Sequence, residues 1–118
     1  MAANNFATKT QFWYGTTASV PLYAAINAAT GATRTLVAAS AGKKIRVLSM
    51  HFYVIGAVTA TFKTGSTAIS GAVIHAGNQW ITYDFSPVGH METVAGDALD
   101  VLLSGGTSIQ GSLAYILA

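Results

Sequence analysis

The side chains that could do chemistry here are few: three histidines, four carboxylates and nine serines, with no cysteine. The absence of cysteine excludes disulfides, thiolate metal ligands and a cysteine nucleophile. His51, His75 and His90 match no helical or hairpin metal spacing, and each falls in a different expected element. No His/Asp pair has the two-residue spacing that would put both on one face of a strand, so no metal or other cofactor is expected. A triad could be assembled on paper from a serine, His51 or His90, and Asp84, Asp97 or Asp100. No Gly-x-Ser-x-Gly elbow supports it. Glycoside hydrolysis would need two of Asp84, Glu92, Asp97 and Asp100 facing each other across a cleft, whereas Asp97 and Asp100 flank a turn. The Gly105-Gly106-Thr107-Ser108 run lacks the lysine of a phosphate loop and leads into a strand. No catalytic constellation emerges, and the chain reads as a non-enzyme.

The elements that carry these residues are strands. From Thr33 onward, short apolar/polar alternations follow one another between Gly, Ser and Asn turns. Lys44 to Ile55 is the longest, with Leu48, Met50, Phe52 and Val54 as one apolar row and Ser49, His51 and Tyr53 as its polar counterpart. Val58 to Thr64 alternates with Val58, Ala60 and Phe62 inward. Ala68 to His75 is read as one strand. In Trp80 to Phe85, Ile81, Tyr83 and Phe85 share a face opposite Trp80, Thr82 and Asp84. Ala98 to Leu103 turns Leu99, Val101 and Leu103 inward. The last strand puts Ile109, Leu113, Tyr115 and Leu117 on one side. With no helical period between strands, parallel crossovers are absent. The expected fold is all-β, an antiparallel β-sandwich of jelly-roll type.

Residues 1–31 differ, with aromatics spaced by Thr, Asn and Ala, and Pro21 restricts pairing to an edge or a strand start. The expectation is an extended N-terminal arm over 1–31 and a sandwich domain over 32–118. Phe12, Trp13, Tyr14 and Tyr23 are expected as arm contacts. Trp80 opens a strand opposite its apolar face and is expected at an interface of the domain.

Composition points the same way. Of the 118 residues 52 % are hydrophobic, mean hydropathy is +0.47, and only 8 % are charged. The exterior must be covered largely by 14 Thr, 9 Ser, Ala and Gly, and weakly hydrated surface of this kind marks interfaces. A homo-oligomer or a component of a larger assembly is expected. The net charge of +2 rests on an excess of two charges, and the only basic cluster, Lys43, Lys44 and Arg46, reads as a polar turn rather than a phosphate-tracking stripe. Nucleic acid is therefore not an expected partner. Val47 to Phe62 is too short and too interrupted for a membrane helix. Met1 to Thr10 lacks the pattern of a signal peptide, so synthesis in a cytoplasm without export is expected.

Two stretches carry a resemblance. "RTLVAASAGKKIRVLSMHFYVIGAVTATFKT" (34–64) and the stretch from Trp80 to Tyr115, especially "FSPVGHMETVAGDALDVLLSGGTSIQGSLAY" (85–115), resemble small β-sandwich virion proteins of tailed bacteriophages and prophages. The shared pattern is an "AASAGKKIRVLS" opening strand, an aromatic-Pro-x-Gly turn, "ETVAGDAL", and a Gly-rich final hairpin ending in Tyr. It covers roughly the last 85 residues and consists of turns and alternation. The resemblance implies a capsid decoration (cement) protein on the outer surface of the head. Its implied partners are the major capsid protein and itself, as a homotrimer. The alternative is a tail or fibre module binding host-surface glycan, with Trp80, Asn78 and Gln79 at the loop tips.

Overall fold

The computed structural model describes residues 12–14 and 17–118, with side chains from Val20 onward. Among the described residues there are twelve strands and no helix. β1 (Phe12–Tyr14) and β2 (Thr17–Ser19) form a hairpin that pairs with no other described strand. Next come β3 (Leu22–Ala29), β4 (Thr33–Val37), β5 (Ile45–Ile55) and β6 (Val58–Thr64). They are followed by β7 (Thr67–Ala68), β8 (Val73–His75), β9 (Gln79–Tyr83) and β10 (Met91–Glu92). The chain closes with β11 (Leu99–Ser104) and β12 (Ser108–Leu117).

These strands make two antiparallel sheets packed face to face, a β-sandwich. In the first, β3 pairs with β12 and β12 with β5, while β9 and β10 share the other flank of β5. In the second, β4 pairs with β11 and β11 with β6, while β7 and β8 share the far flank of β6. Alternation dictates the packing, because successive side chains on a strand point to opposite faces. On β6, Val58, Ala60, Phe62 and Thr64 are buried and the residues between them are not. Val58, Ala60 and Phe62 meet Met50, Phe52 and Val54 of β5, Leu99, Val101 and Leu103 of β11, and Ile109 and Leu113 of β12 in one apolar core. Each large side chain buried there contributes about 1.5–3 kcal/mol relative to exposure.

Four features depart from simple alternation. Leu48 is the extra residue of a bulge opposite Ala114 and Tyr115. It reverses the phase of β5, so Ile45 and Val47 join the core beside Met50, whereas Leu48 is buried outside that cluster. On β12 Tyr115 keeps the phase of Ile109 and Leu113 and packs against the core, while Ile116 is buried outside that cluster and Leu117 is exposed. Residues 68–75 form two short strands rather than one, because β7 and β8 pair with opposite ends of β6. Finally, residues 22–29, read from the sequence as part of an arm, are the edge strand of the first sheet. Ile26 and Ala28 belong to the core, and Leu22 to Ala29 register with Tyr115 to Ser108.

At one end of the sandwich three turns pack backbone on backbone. A Cβ on Gly77 would lie 2.8 Å from the Gly56 carbonyl carbon, and one on Gly106 would lie 2.7 Å from the Ala57 oxygen.

Candidate interaction surface

The histidines are held apart. His75 on β8 points inward, is buried, and meets the Phe52 ring edge-on at 5.8 Å. Its Nε2 has no hydrogen-bond partner, and burial lowers its pKa from the usual histidine value. His90 follows the turn at residues 86–89 and donates from Nε2 to the Asp84 carbonyl, with its ring edge-on to Tyr83. His51 lies on the outward face of β5, with Nε2 3.4 Å from Ser112 Oγ.

The carboxylates are likewise dispersed into structural roles. Glu92 accepts from Arg46 Nε at 2.6 Å and pairs with Lys44 at 3.8 Å. Asp97 accepts from Thr64 Oγ1, whose oxygen in turn accepts from Val94 N, so this group ties the loop after β10 to β6. Asp100 stands directly across from Lys63. Among the described residues no cluster of three His, Cys, Asp or Glu could hold a metal ion. An open groove lined by Arg46, Val88, Gly89, His90, Met91 and Glu92 carries one cation already opposed by one carboxylate.

What the sheets do build is two outward faces. That of the second sheet is rich in threonine: Thr33 and Thr61 flank Leu102, and Thr35 and Lys63 flank Asp100. That of the first sheet is laid out by its registers in three rows across the strands. Trp80, Tyr53, Gln110 and Asn27 form one row; Thr82, His51, Ser112 and Ala25 the next; Ser49, Ala114 and Tyr23 the third. The intervening rows point into the core, for example Ile81, Phe52, Gly111 and Ile26. None of the eleven outward residues carries a formal charge when His51 is neutral.

Two residues expected at interfaces lie on this face. Tyr23 is 75 % exposed on the edge strand β3, and Trp80 is 61 % exposed on β9. Trp80 stands against His51 (centroids 5.9 Å apart, planes tilted 43°) and Tyr53 (5.4 Å, 66°). The side chains of Phe12, Trp13 and Tyr14, the other expected arm contacts, lie outside the described residues. Asn78 and Gln79 lead from the turn into β9, directly before Trp80. Asn78 has a left-handed φ of 60° and donates its backbone N–H to Val54 O, so it is a turn residue, and Gln79 extends β9 opposite Val54.

Sequence reasoning missed Gln110, Ser112 and Asn27 as neighbours of Trp80. Their alternation was readable, but the strand partners that bring them together were not. Phe85, expected on the inward face, lies beyond β9 and is 55 % exposed.

The flanks of the sandwich are also informative. β3 pairs with no described strand other than β12, and its eight residues carry no charge. Arg34 Nε covers one carbonyl, that of Ala29. On the opposite flank, the edge strand β8 exposes Val73 (43 %) and Ile74 (79 %). Unpaired, uncharged strand edges are ready templates for another chain.

No protein-family model matches the chain, and no curated protein matches it. Among solved structures it is similar to a protein from Bacillus endospore appendages, described as a novel family of disulfide-linked pili. The TM-score is 0.51 at 14 % identity, over 99 % of this chain and 96 % of that one. At this identity the likeness speaks for the fold alone.

Proposed function

We propose that this chain is a structural protein of a tailed-phage virion, a capsid decoration protein that bridges and stabilises major capsid protein subunits on the outer head surface. It carries out no catalysis. It is made in the host cytoplasm and acts as a homo-oligomer, a trimer by the resemblance, without nucleic acid or membrane as partner.

The observation that carries the reading is the outer flank of β3, which is uncharged, pairs with no strand among the described residues, and follows the aromatic N-terminal segment in sequence. Monomeric β proteins blunt such edges with charge, proline or cover; the eight residues of β3 have no charge and no proline, and among the described residues Arg34 covers one carbonyl. This edge is suited to other chains, and Tyr23 is an exposed anchor on it. Sparse charge and a threonine-rich second face agree with a subunit surrounded by neighbours. Many weak contacts around a shell would resist expansion through multivalency rather than single-site affinity.

The strand order also supports a finer reading of the fold. Treating β7/β8 and β9/β10 as single broken strands, eight strands divide as β3-β12-β5-β9/β10 against β4-β11-β6-β7/β8. We read this connectivity as a jelly roll.

A second reading has the fold of the Bacillus appendage protein on its side: copies of the chain could join one another in a filament. That family is disulfide-linked, whereas this chain has no cysteine, so its joints would be non-covalent.

Co-sedimentation with heads that lack the protein tests the proposal. Full-length chain is expected to pellet with heads, and chain lacking residues 1–20 to stay in the supernatant while keeping its melting transition. Equal pelleting by the truncated chain would remove the arm from the mechanism. No pelleting by either, with filaments of the pure protein seen by negative-stain microscopy, would favour the second reading.

A further inference from the structure

We propose that the outward face of the first sheet is a binding platform for a neutral β-linked polysaccharide, with Trp80 as its stacking residue and Tyr53, His51, Gln110 and Asn27 as its surround. This goes beyond the assembly reading and does not depend on it.

Trp80 is the first reason. An indole 61 % exposed leaves a large apolar area in water, and its position is held by two neighbouring rings. Neither lies parallel over it, since the planes are tilted by 43° and 66°. An aromatic face carries negative quadrupole charge. A β-linked gluco-configured pyranose presents a face of axial C–H groups that matches it, while its equatorial hydroxyls point outward around the rim.

The second reason is what lies beside the indole. Along Trp80's own row come the Tyr53 hydroxyl and the side-chain amides of Gln110 and Asn27. The adjacent row offers Thr82, His51 and Ser112. Amides and hydroxyls both donate and accept, as sugar hydroxyls require. Neighbouring strands lie about 4.8 Å apart, so the row from Trp80 to Asn27 spans about 14 Å, the length of a short oligosaccharide. All of these groups stand on paired strands rather than loops, which holds a recognition surface in place before the ligand arrives.

The third reason is charge. Eleven outward residues in three rows carry no formal charge with His51 neutral. A uronate, sulfated or phosphorylated polymer would lose hydration there with no cation to replace it. A second protein copy fits less well. The core of a protein interface is a contiguous apolar patch, and here the amides of Gln110 and Asn27 and the hydroxyls of Thr82 and Ser112 interrupt the apolar area.

The test is titration of the full-length protein with cellohexaose, chitohexaose and laminarihexaose, followed by calorimetry, with maltohexaose and dextran sulfate as contrasts. Binding of at least one β-linked hexasaccharide is expected, insensitive to salt and weakened by about tenfold or more in Trp80→Ala. Trp80→Phe should retain part of it, and Gln110→Ala should weaken it with an unchanged melting temperature. Thermal melts of each variant check folding, which an exposed side chain should not affect. The proposal is overturned if no β-linked hexasaccharide binds, if Trp80→Ala binds as well as the parent, or if only dextran sulfate binds. It is also overturned if Trp80→Ala binds no differently but lowers the sedimentation coefficient, because the face would then be an interface between copies. Where its sedimentation coefficient is unchanged, the Trp80→Ala protein should bind heads normally, so failure here leaves the assembly reading to its own test.

Discussion

Gly111 sits in the middle of β12, between β3 and β5, where a strand would ordinarily carry a side chain. A Cβ there would meet the His51 carbonyl oxygen at 2.0 Å and the Phe52 Cα at 2.6 Å. Both are backbone atoms of the paired strand, so neither can move without disturbing the ladder. Gly111→Ala is therefore expected to lower unfolding free energy by about 1–3 kcal/mol, an overpacking cost, measurable by urea denaturation. His75 provides a second test at this scale. Burial without a partner for Nε2 disfavours the imidazolium, so the folded pKa lies below the unfolded value of 6.5. Below pH 6.5 the unfolded chain binds more protons than the folded one, and stability falls with falling pH. It is full above that pH and declines through the interval down to the lowered folded pKa. Melting temperatures at pH 7.5 and 5.5 should differ in this sense, and His75→Leu should reduce the difference; an unchanged difference would assign the acid sensitivity elsewhere. His75 was visible in the sequence only as one of three histidines. What distinguishes it is the inward phase of β8, and that phase is set by pairing with Val58.

At the scale of elements, alternation told most of the story and bulges hid the rest. The apolar rows of β6 and β11 are legible because their residues keep a period of two from end to end. In β5 an extra residue at Leu48 reverses the phase, and the sequence around it, Val47-Leu48, is apolar on both sides of the bulge. Only the register against Ala114 and Tyr115 reveals it. β3 was obscured for a different reason: its alanines suit a helix, an arm or a strand, and pairing with β12 decides among them. The Trp80 surround was illegible because it joins four strands distant in sequence. The assembly reading turns on β3, and Tyr23→Lys tests it. The side chain is largely solvent-exposed, so the monomer should fold with a melting temperature within about 2 °C of the parent. A charge on a free edge opposes strand addition, so binding to heads or to other copies should weaken. A variant that assembles like the parent would exclude the β3 flank as a joint.

For the molecule as a whole, the balance is between a well-filled core and a thinly charged exterior. The sandwich buries Phe52, Ile45, Val47, Val54, Val101 and Ile109 completely, yet its surface is weakly hydrated and, among the described residues, no strand pairs with the outer flanks of β3 and β8. Such a molecule suits life among neighbours, and that is the central claim. Imaging the native particle by cryo-electron microscopy tests it most directly. The account predicts this chain's density in symmetric clusters on the head, with residues 1–20 running onto the shell and β3 facing a contact. Density at the tail tip, or absence of the chain from every particle, would contradict it.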